Sequence, residues 1–253
     1  MAALPITPVP APAPEVALSQ IGRIVNTFIA PSKTFTDVRR SASWWAPFIL
    51  LSVVALAFFY QVDQKIGFRK VAENQIAESA RATRQMEQLP PGQREQALIR
   101  QTAGMRYFLY GYPLIILLWN LIIAAVLFAT FKFAASAELK FSASLAVVMY
   151  ASLPLLVKTI LSMLSVAAGA SPDSFNIRNP VATNPGYFLT RADAPFLYGI
   201  ATAVDICMIW TLILTAIGFS CIGKVKRSTA MTIVFGWYVV FTLAAVGLSA
   251  LSG

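Results

Sequence analysis

The chain has 253 residues, of which 57% are apolar and only 12% charged, about half the charged share of an ordinary soluble domain. It is too apolar for a water-soluble or disordered protein and too long for a single anchor. A net charge of +9 in such a chain points to Lys and Arg gathered at one membrane face rather than to nucleic acid. With no His, imidazole metal ligands, Ser-His-Asp or Cys-His nucleophiles and imidazole proton relays are excluded.

Residues 1–18, MAALPITPVPAPAPEVAL, repeat proline without an apolar face and predict a flexible, partly polyproline-like tail. In 19–42 the character changes. Ile21, Ile24, Val25, Phe28 and Ile29 recur at helical spacing, Pro31 stops that helix, and Arg39-Arg40 closes the segment. A basic amphipathic stretch just before a span reads as a cytosolic helix lying in the interface.

The remainder, 43–253, carries five long apolar stretches, at about 44–60, 107–131, 142–166, 195–219 and 229–251. Each has the roughly 17–25 residues needed to cross a bilayer core. They are continuous rather than alternating, so a helical bundle is expected and not a barrel. The short segments that carry Arg23, Lys33, Arg39 and Arg40, then Lys132 and Lys140, then Lys224, Lys226 and Arg227, place the N-terminus inside and the C-terminus outside.

Between the first two stretches, 61–106 is the one sizeable polar piece. Residues 63–88 are good helix formers, Pro90-Pro91-Gly92 breaks the chain, and 93–105 again favours helix. A helical hairpin over 63–105 is expected outside the membrane, its long arm reaching about 37 Å if straight. Arg69, Glu73, Glu78, Arg81 and Arg84 on that arm are the candidates for contact with a partner. The 167–194 loop, rich in turn signals such as Asn184-Pro185-Gly186, is expected to fold over the outer mouth of the bundle.

Two ionisable residues fall within expected spans, Lys158 in the third and Asp205 in the fourth, where charge is costly and faces a partner or a cavity. Both fall roughly 5 Å to the outer side of the midplane at ~1.5 Å per residue, so an ion pair is expected. Asn120 in the second span is expected to bond a neighbouring helix. Pro154 takes the usual donor from the carbonyl of Tyr150. Asn120, Tyr150, Pro154, Lys158 and Asp205 thus outline an intramembrane polar centre, either a structural network or an ion site. Cys207 and Cys221, fourteen residues apart on one helix or about 21 Å, read as free thiols.

Gly218-x4-Gly223-Lys224 imitates a phosphate-binding loop. Val225 stands where the Mg²⁺-holding Ser or Thr belongs, and a membrane helix replaces the strand. Lys224, Lys226 and Arg227, with Arg39 and Arg40, read instead as an inner-leaflet anchor for anionic headgroups. No catalytic constellation, metal-ligand cluster or cofactor motif emerges, so no enzyme and no cofactor is expected.

Several positions carry a family resemblance: Pro31 followed by Phe35, Trp44-Trp45-x-Pro47, Tyr150-Ala151-Ser152-x-Pro154, Asp205-x4-Trp210, and Gly218. Over about 20–251 the chain resembles the Yip family of Ypt/Rab-interacting membrane proteins, in its bacterial branch. That resemblance implies an all-α polytopic protein, a five-helix transmembrane bundle with a cytosolic N-terminus and an outer C-terminus. The 61–106 hairpin exceeds the compact core of that family. Eukaryotic members of such a family bind small GTPases in vesicle traffic. Some bacterial ones look like companions of MacB-type ABC exporters and their membrane-fusion adaptors. The resemblance therefore implies a non-catalytic accessory subunit or regulator in a bacterial inner membrane. Its expected partners are membrane lipid, an exporter permease/ATPase and an adaptor, and not nucleic acid. Two alternatives stand beside it: a membrane-shaping or GTPase-recruiting factor acting through 19–42, and a small ion-coupled transporter using Lys158 and Asp205.

Overall fold

The computed structural model describes residues 17–252, so all but the last two residues of the proline-rich tail lie outside the described part. Twelve α-helices are present among the described residues and no strand. Five helical stretches are long and apolar enough to cross a membrane: Trp45–Lys65, Tyr112–Ala134, Phe141–Ala167, Ile206–Gly223 and Arg227–Leu248.

Two short helices precede the first span, α1 (Gln20–Ile29) and α2 (Pro31–Arg40). Ser19 caps α1, its hydroxyl accepting from the Gly22 N–H at 3.0 Å. Pro31 does more than end α1. It opens α2 at the first helical position, where its missing N–H leaves nothing unpaired. The first span, α3 (Trp45–Lys65), runs five residues beyond the expected end at Tyr60.

Gly67, at φ +85°, then turns the chain into α4 (Phe68–Ala77), a conformation that favours glycine. The expected straight arm over 63–88 is therefore broken twice, at Gly67 and at Ser79, whose hydroxyl caps α5 (Ala80–Glu87). Pro91 opens α6 (Pro91–Tyr110), which continues through Gly111 into the second span, α7 (Tyr112–Ala134). α4 packs back along α6, so the polar segment is a folded cap rather than an extended arm. Its underside joins the spans in a satellite core of Phe58, Phe59, Val62, Phe68, Val71, Leu109, Val166 and Phe175.

Two expected spans are each made of two helices. The third consists of α8 (Phe141–Ala151) and α9 (Pro154–Ala167), broken at Pro154. The fourth was expected over 195–219. Instead α10 (Pro195–Ala203) stops at Val204, and a separate helix, α11 (Ile206–Gly223), makes the crossing. The fifth span is α12 (Arg227–Ser252).

The main core is the junction of α2, α8 and α11, with Phe35, Val147, Tyr150 and Phe219 all fully buried. Phe131 of α7 stacks on Phe219 at 4.6 Å. Gly218 explains how close these helices come. A Cβ there would lie 2.3 Å from Val147 Cγ1 and 3.2 Å from the Phe35 ring. Its place in the imitation phosphate loop is thus a packing requirement, and Lys224 closes α11 in the left-handed region at φ 53°. Gly218→Ala is expected to destabilise the bundle by about 1–3 kcal/mol through overpacking. Adding Val147→Ala should recover part of that loss, because the two sites touch. Thermal unfolding of the two single variants and the double variant in detergent checks both statements.

Candidate functional site

Breaking the fourth span at 204–205 strands backbone groups on both sides, and in or near hydrocarbon each must find a partner. Four of these groups have partners supplied by the chain. Asp205 is the N-cap of α11, its Oδ1 accepting from the N–H groups of Cys207 at 2.9 Å and Met208 at 3.1 Å. The Ile206 N–H donates to the Thr183 carbonyl at 3.1 Å. On the other side, the Tyr238 hydroxyl of α12 donates to the carbonyl of Ala203 at 2.7 Å.

The second carboxylate oxygen of Asp205 gathers three further donors. Lys158 Nζ lies 2.7 Å away, Thr183 Oγ1 2.5 Å and Asn184 Nδ2 3.2 Å. Asn184 is held in turn by Asn179, the two amides exchanging hydrogen bonds at 2.8 and 3.1 Å. Asp205 is 4% exposed, and five donors surround it. At the start of a broken helix the N-terminal dipole and free N–H groups form a place suited to a substrate carboxylate. Here the protein's own Asp205 occupies that place.

Thr183, Asn184, Asn179 and Tyr238 are the functional neighbours that sequence reasoning missed. Asn184-Pro185-Gly186 signalled only a turn. That turn is also a dock: a Cβ on Gly186 would lie 2.4 Å from Thr202 Cγ2 and 2.8 Å from Thr202 N. A backbone atom cannot step aside as a side-chain tip can. Gly186→Ala is therefore expected to lift the 179–188 turn off α10. The check is a rise in protease cleavage or thiol labelling within 179–188, with the bundle still folded.

The pair forms as expected, but Asp205 stands at the start of a helix rather than inside one. The crossing part of the fourth span starts at Ile206, so Asp205 lies at its end. Lys158 is a turn beyond the Pro154 break in a third span of 27 residues, longer than a bilayer core requires.

The other expected members of the polar centre sit apart. Asn120 is 6% exposed; its Nδ2 donates to the Ile116 carbonyl at 2.7 Å, and its Oδ1 lies 3.1 Å from the Ser152 hydroxyl. That contact joins α7 to the helix break. The Tyr150 carbonyl accepts from the Leu153 N–H at 3.1 Å, so the tight turn before Pro154 supplies its donor. The Tyr150 hydroxyl donates to Gln20 Oε1 at 2.6 Å, away from Lys158. Tyr150 precedes the break on α8 and faces α1, whereas Lys158 follows it on α9. One expected centre is therefore three separate contacts.

A second buried ion pair escaped the sequence reading. Arg23 Nε lies 2.7 Å from Asp37 Oδ2, the side chains 3% and 7% exposed. Arg23 Nη1 also donates to the Ser41 carbonyl at 2.9 Å, and Arg40 pairs with the other Asp37 oxygen. Burial pushes the Asp37 carboxyl up, but the Arg23 hydrogen bond and charge, the Leu18 N–H and Arg40 outweigh it and hold the group below its ordinary value.

On the hairpin, Arg69 forms a two-pronged pair with Glu95 at 2.7 and 2.9 Å and also reaches Glu73 at 3.3 Å. Burial raises the Glu78 carboxyl, with Arg178, Arg191 and Asn176 offsetting part of the rise. These three candidate contact residues are engaged within the protein, and α4 is further tied to the 167–194 loop by Lys70–Asp173 at 2.6 Å and by Asn74. Arg81 and Arg84 are exposed on α5, which has no buried residue. At the opposite end, Arg39, Arg40, Lys224, Lys226 and Arg227 are all exposed, and Arg227 Nη2 donates to Ser32 Oγ at 3.0 Å, fastening α12 to α2. Cys207 and Cys221 are free. No group of three or more His, Cys, Asp or Glu suited to a metal occurs among the described residues.

Comparison with protein families matches the Yip1 domain over residues 25–249. Comparisons with curated proteins and with solved structures match nothing.

Proposed function

The chain belongs to the Yip1 domain family, and from that premise we propose that it is a non-catalytic accessory subunit of an export complex, the partners being a MacB-type ABC permease/ATPase and its adaptor. The observation that supports this reading is the run of α6 into α7. Gly111 keeps helical dihedrals, so 20 and 23 residues, about 30 and 35 Å, couple the polar cap directly to a span. α7 offers Leu114, Leu118, Trp119 and Ile122 on its exposed side, a lateral surface for another protein's helices. Above it, Ile76, Met86, Leu89, Gln85 and Gln101 line a groove of about 550 Å³. In this reading the cap lies outside the cytoplasm, where the adaptor meets it at the groove and along α5 through Arg81 and Arg84. The basic end lies against the inner leaflet, with Arg39, Arg40, Lys224, Lys226 and Arg227 on anionic headgroups.

A photo-crosslinking residue at Gln85 or Gln101, in cells, tests the cap. The expected adducts are with an exporter adaptor or permease. Adducts confined to lipid or to the chain itself would sink the proposal for this surface. The transporter alternative draws less on Lys158 and Asp205, since five donors already engage the carboxylate.

A further inference from the structure

α1 and α2 expose opposite chemistry. Only Ile21, Val25 and Ile29 of α1 are exposed, at 75%, 49% and 75%. On α2 the exposed residues are Lys33, Thr36, Arg39 and Arg40. α1 is thus inverted relative to a water-facing helix: its charge, Arg23, points inward and its aliphatic residues point out.

The polar side chains of α1 are all provided for inside the protein. Gln20 bonds Ser43 and Tyr150, Arg23 bonds Asp37 and the Ser41 carbonyl, Asn26 donates to the Gly22 carbonyl and Thr27 to the Arg23 carbonyl. Internal satisfaction of this kind is what hydrocarbon demands of a helix.

The height of α1 along the bundle agrees. Phe28 packs edge-on against Trp210, with centroids 5.5 Å apart. Trp210 lies thirteen residues from Gly223 at the basic end of α11, or about 20 Å. Gln20 meets Tyr150, nine residues into α8, about 14 Å from the same end. Side chains reach only part of these heights, so α1 lies within the extent of the spans rather than beyond it. Its aliphatic stripe is therefore continuous with the apolar belt of the five spans.

We infer that Ile21, Val25 and Ile29 are immersed in the acyl chains of one leaflet, with α2 beside them at the headgroups of that same leaflet. The chemistry that covers the stripe is lipid: apolar side chains meet hydrocarbon, and the neighbouring Lys33, Arg39 and Arg40 complement anionic headgroups. The pair adds one amphipathic wedge to one leaflet and none to the other. Phe28, which the helical spacing puts on the same apolar face, turns inward to Trp210 and is not part of the stripe.

The test uses the full chain with Cys207→Ala and Cys221→Ala, carrying a nitroxide at position 21, 25 or 29, or at 33, 36 or 39. It is reconstituted in vesicles of phosphatidylcholine and phosphatidylglycerol. These positions are exposed, so labelling leaves the core intact, and circular dichroism verifies the fold. Positions 21, 25 and 29 are expected to collide readily with O₂ and poorly with a water-soluble nickel chelate, and 33, 36 and 39 to show the reverse. High nickel access at 21, 25 and 29 would place the stripe in water. Low access to both probes would place protein over it, a second copy or a partner. Either result overturns the inference.

Discussion

Asp205→Ala is expected to be the most damaging single substitution at the broken span, lowering stability by about 3–5 kcal/mol, the usual loss when one partner of a buried pair is removed. Two effects combine. Lys158 loses its 2.7 Å counter-charge, and α11 loses the cap on Cys207 and Met208, itself about 0.5–2 kcal/mol. Asp205→Asn should cost less, since Asn caps helices as well as Asp does. Lys158→Met should cost least, about 1–2 kcal/mol. Asp205 then keeps Thr183, Asn184 and the two amides, and Lys158, a quarter exposed, has less to lose. The order Ala, Asn, Met in thermal unfolding is the checkable result. Lys158→Met proving worse than Asp205→Ala would show that the lysine, and not the fastening of the break, is what matters there.

Arg23→Ala is expected to cost about 3 kcal/mol, the lower end for breaking a buried pair, because Asp37 keeps Arg40 and the Leu18 N–H. The loss should be local: α1 should detach from α2 and Ser41 and become protease-sensitive near 23–30 while the spans remain folded. The same pair sets a pH dependence. The folded Asp37 carboxyl lies below its ordinary value of 3.8, so its contribution is fully present above that value. It is lost as pH falls through the depressed folded value. Attachment of α1 should therefore be flat across the neutral range and weaken only in acid below about 4. Protease sensitivity of α1 followed against pH checks this, and loosening near neutrality would contradict it.

The five crossings were legible because bilayer thickness imposes a length and hydropathy that no soluble helix shares. The break at Pro154 was legible for an equally local reason, the missing N–H. The break at 204–205 was not, since Ala203-Val204-Asp205-Ile206 contains neither Gly nor Pro. Its signal was Asp205 itself, which was read as a charge inside a helix and is the cap at the start of one. Arg23 reads in the sequence only as one of the inside charges, because nothing along the chain says that α1 folds back on α2 and brings it to Asp37. Their meeting depends on the single-residue connection at Ala30. The arm over 63–88 failed at Gly67 because helix propensity summed over the stretch hid one residue able to adopt φ +85°.

The most direct measurement is purification of the tagged chain at native level in a mild detergent, with mass spectrometry and stoichiometry of what co-elutes. An accessory subunit predicts an ATPase-containing permease and an adaptor in fixed ratio to this chain, with recovery reduced by Arg81→Glu and Arg84→Glu. The chain eluting alone, folded and with its five spans intact, would contradict the account.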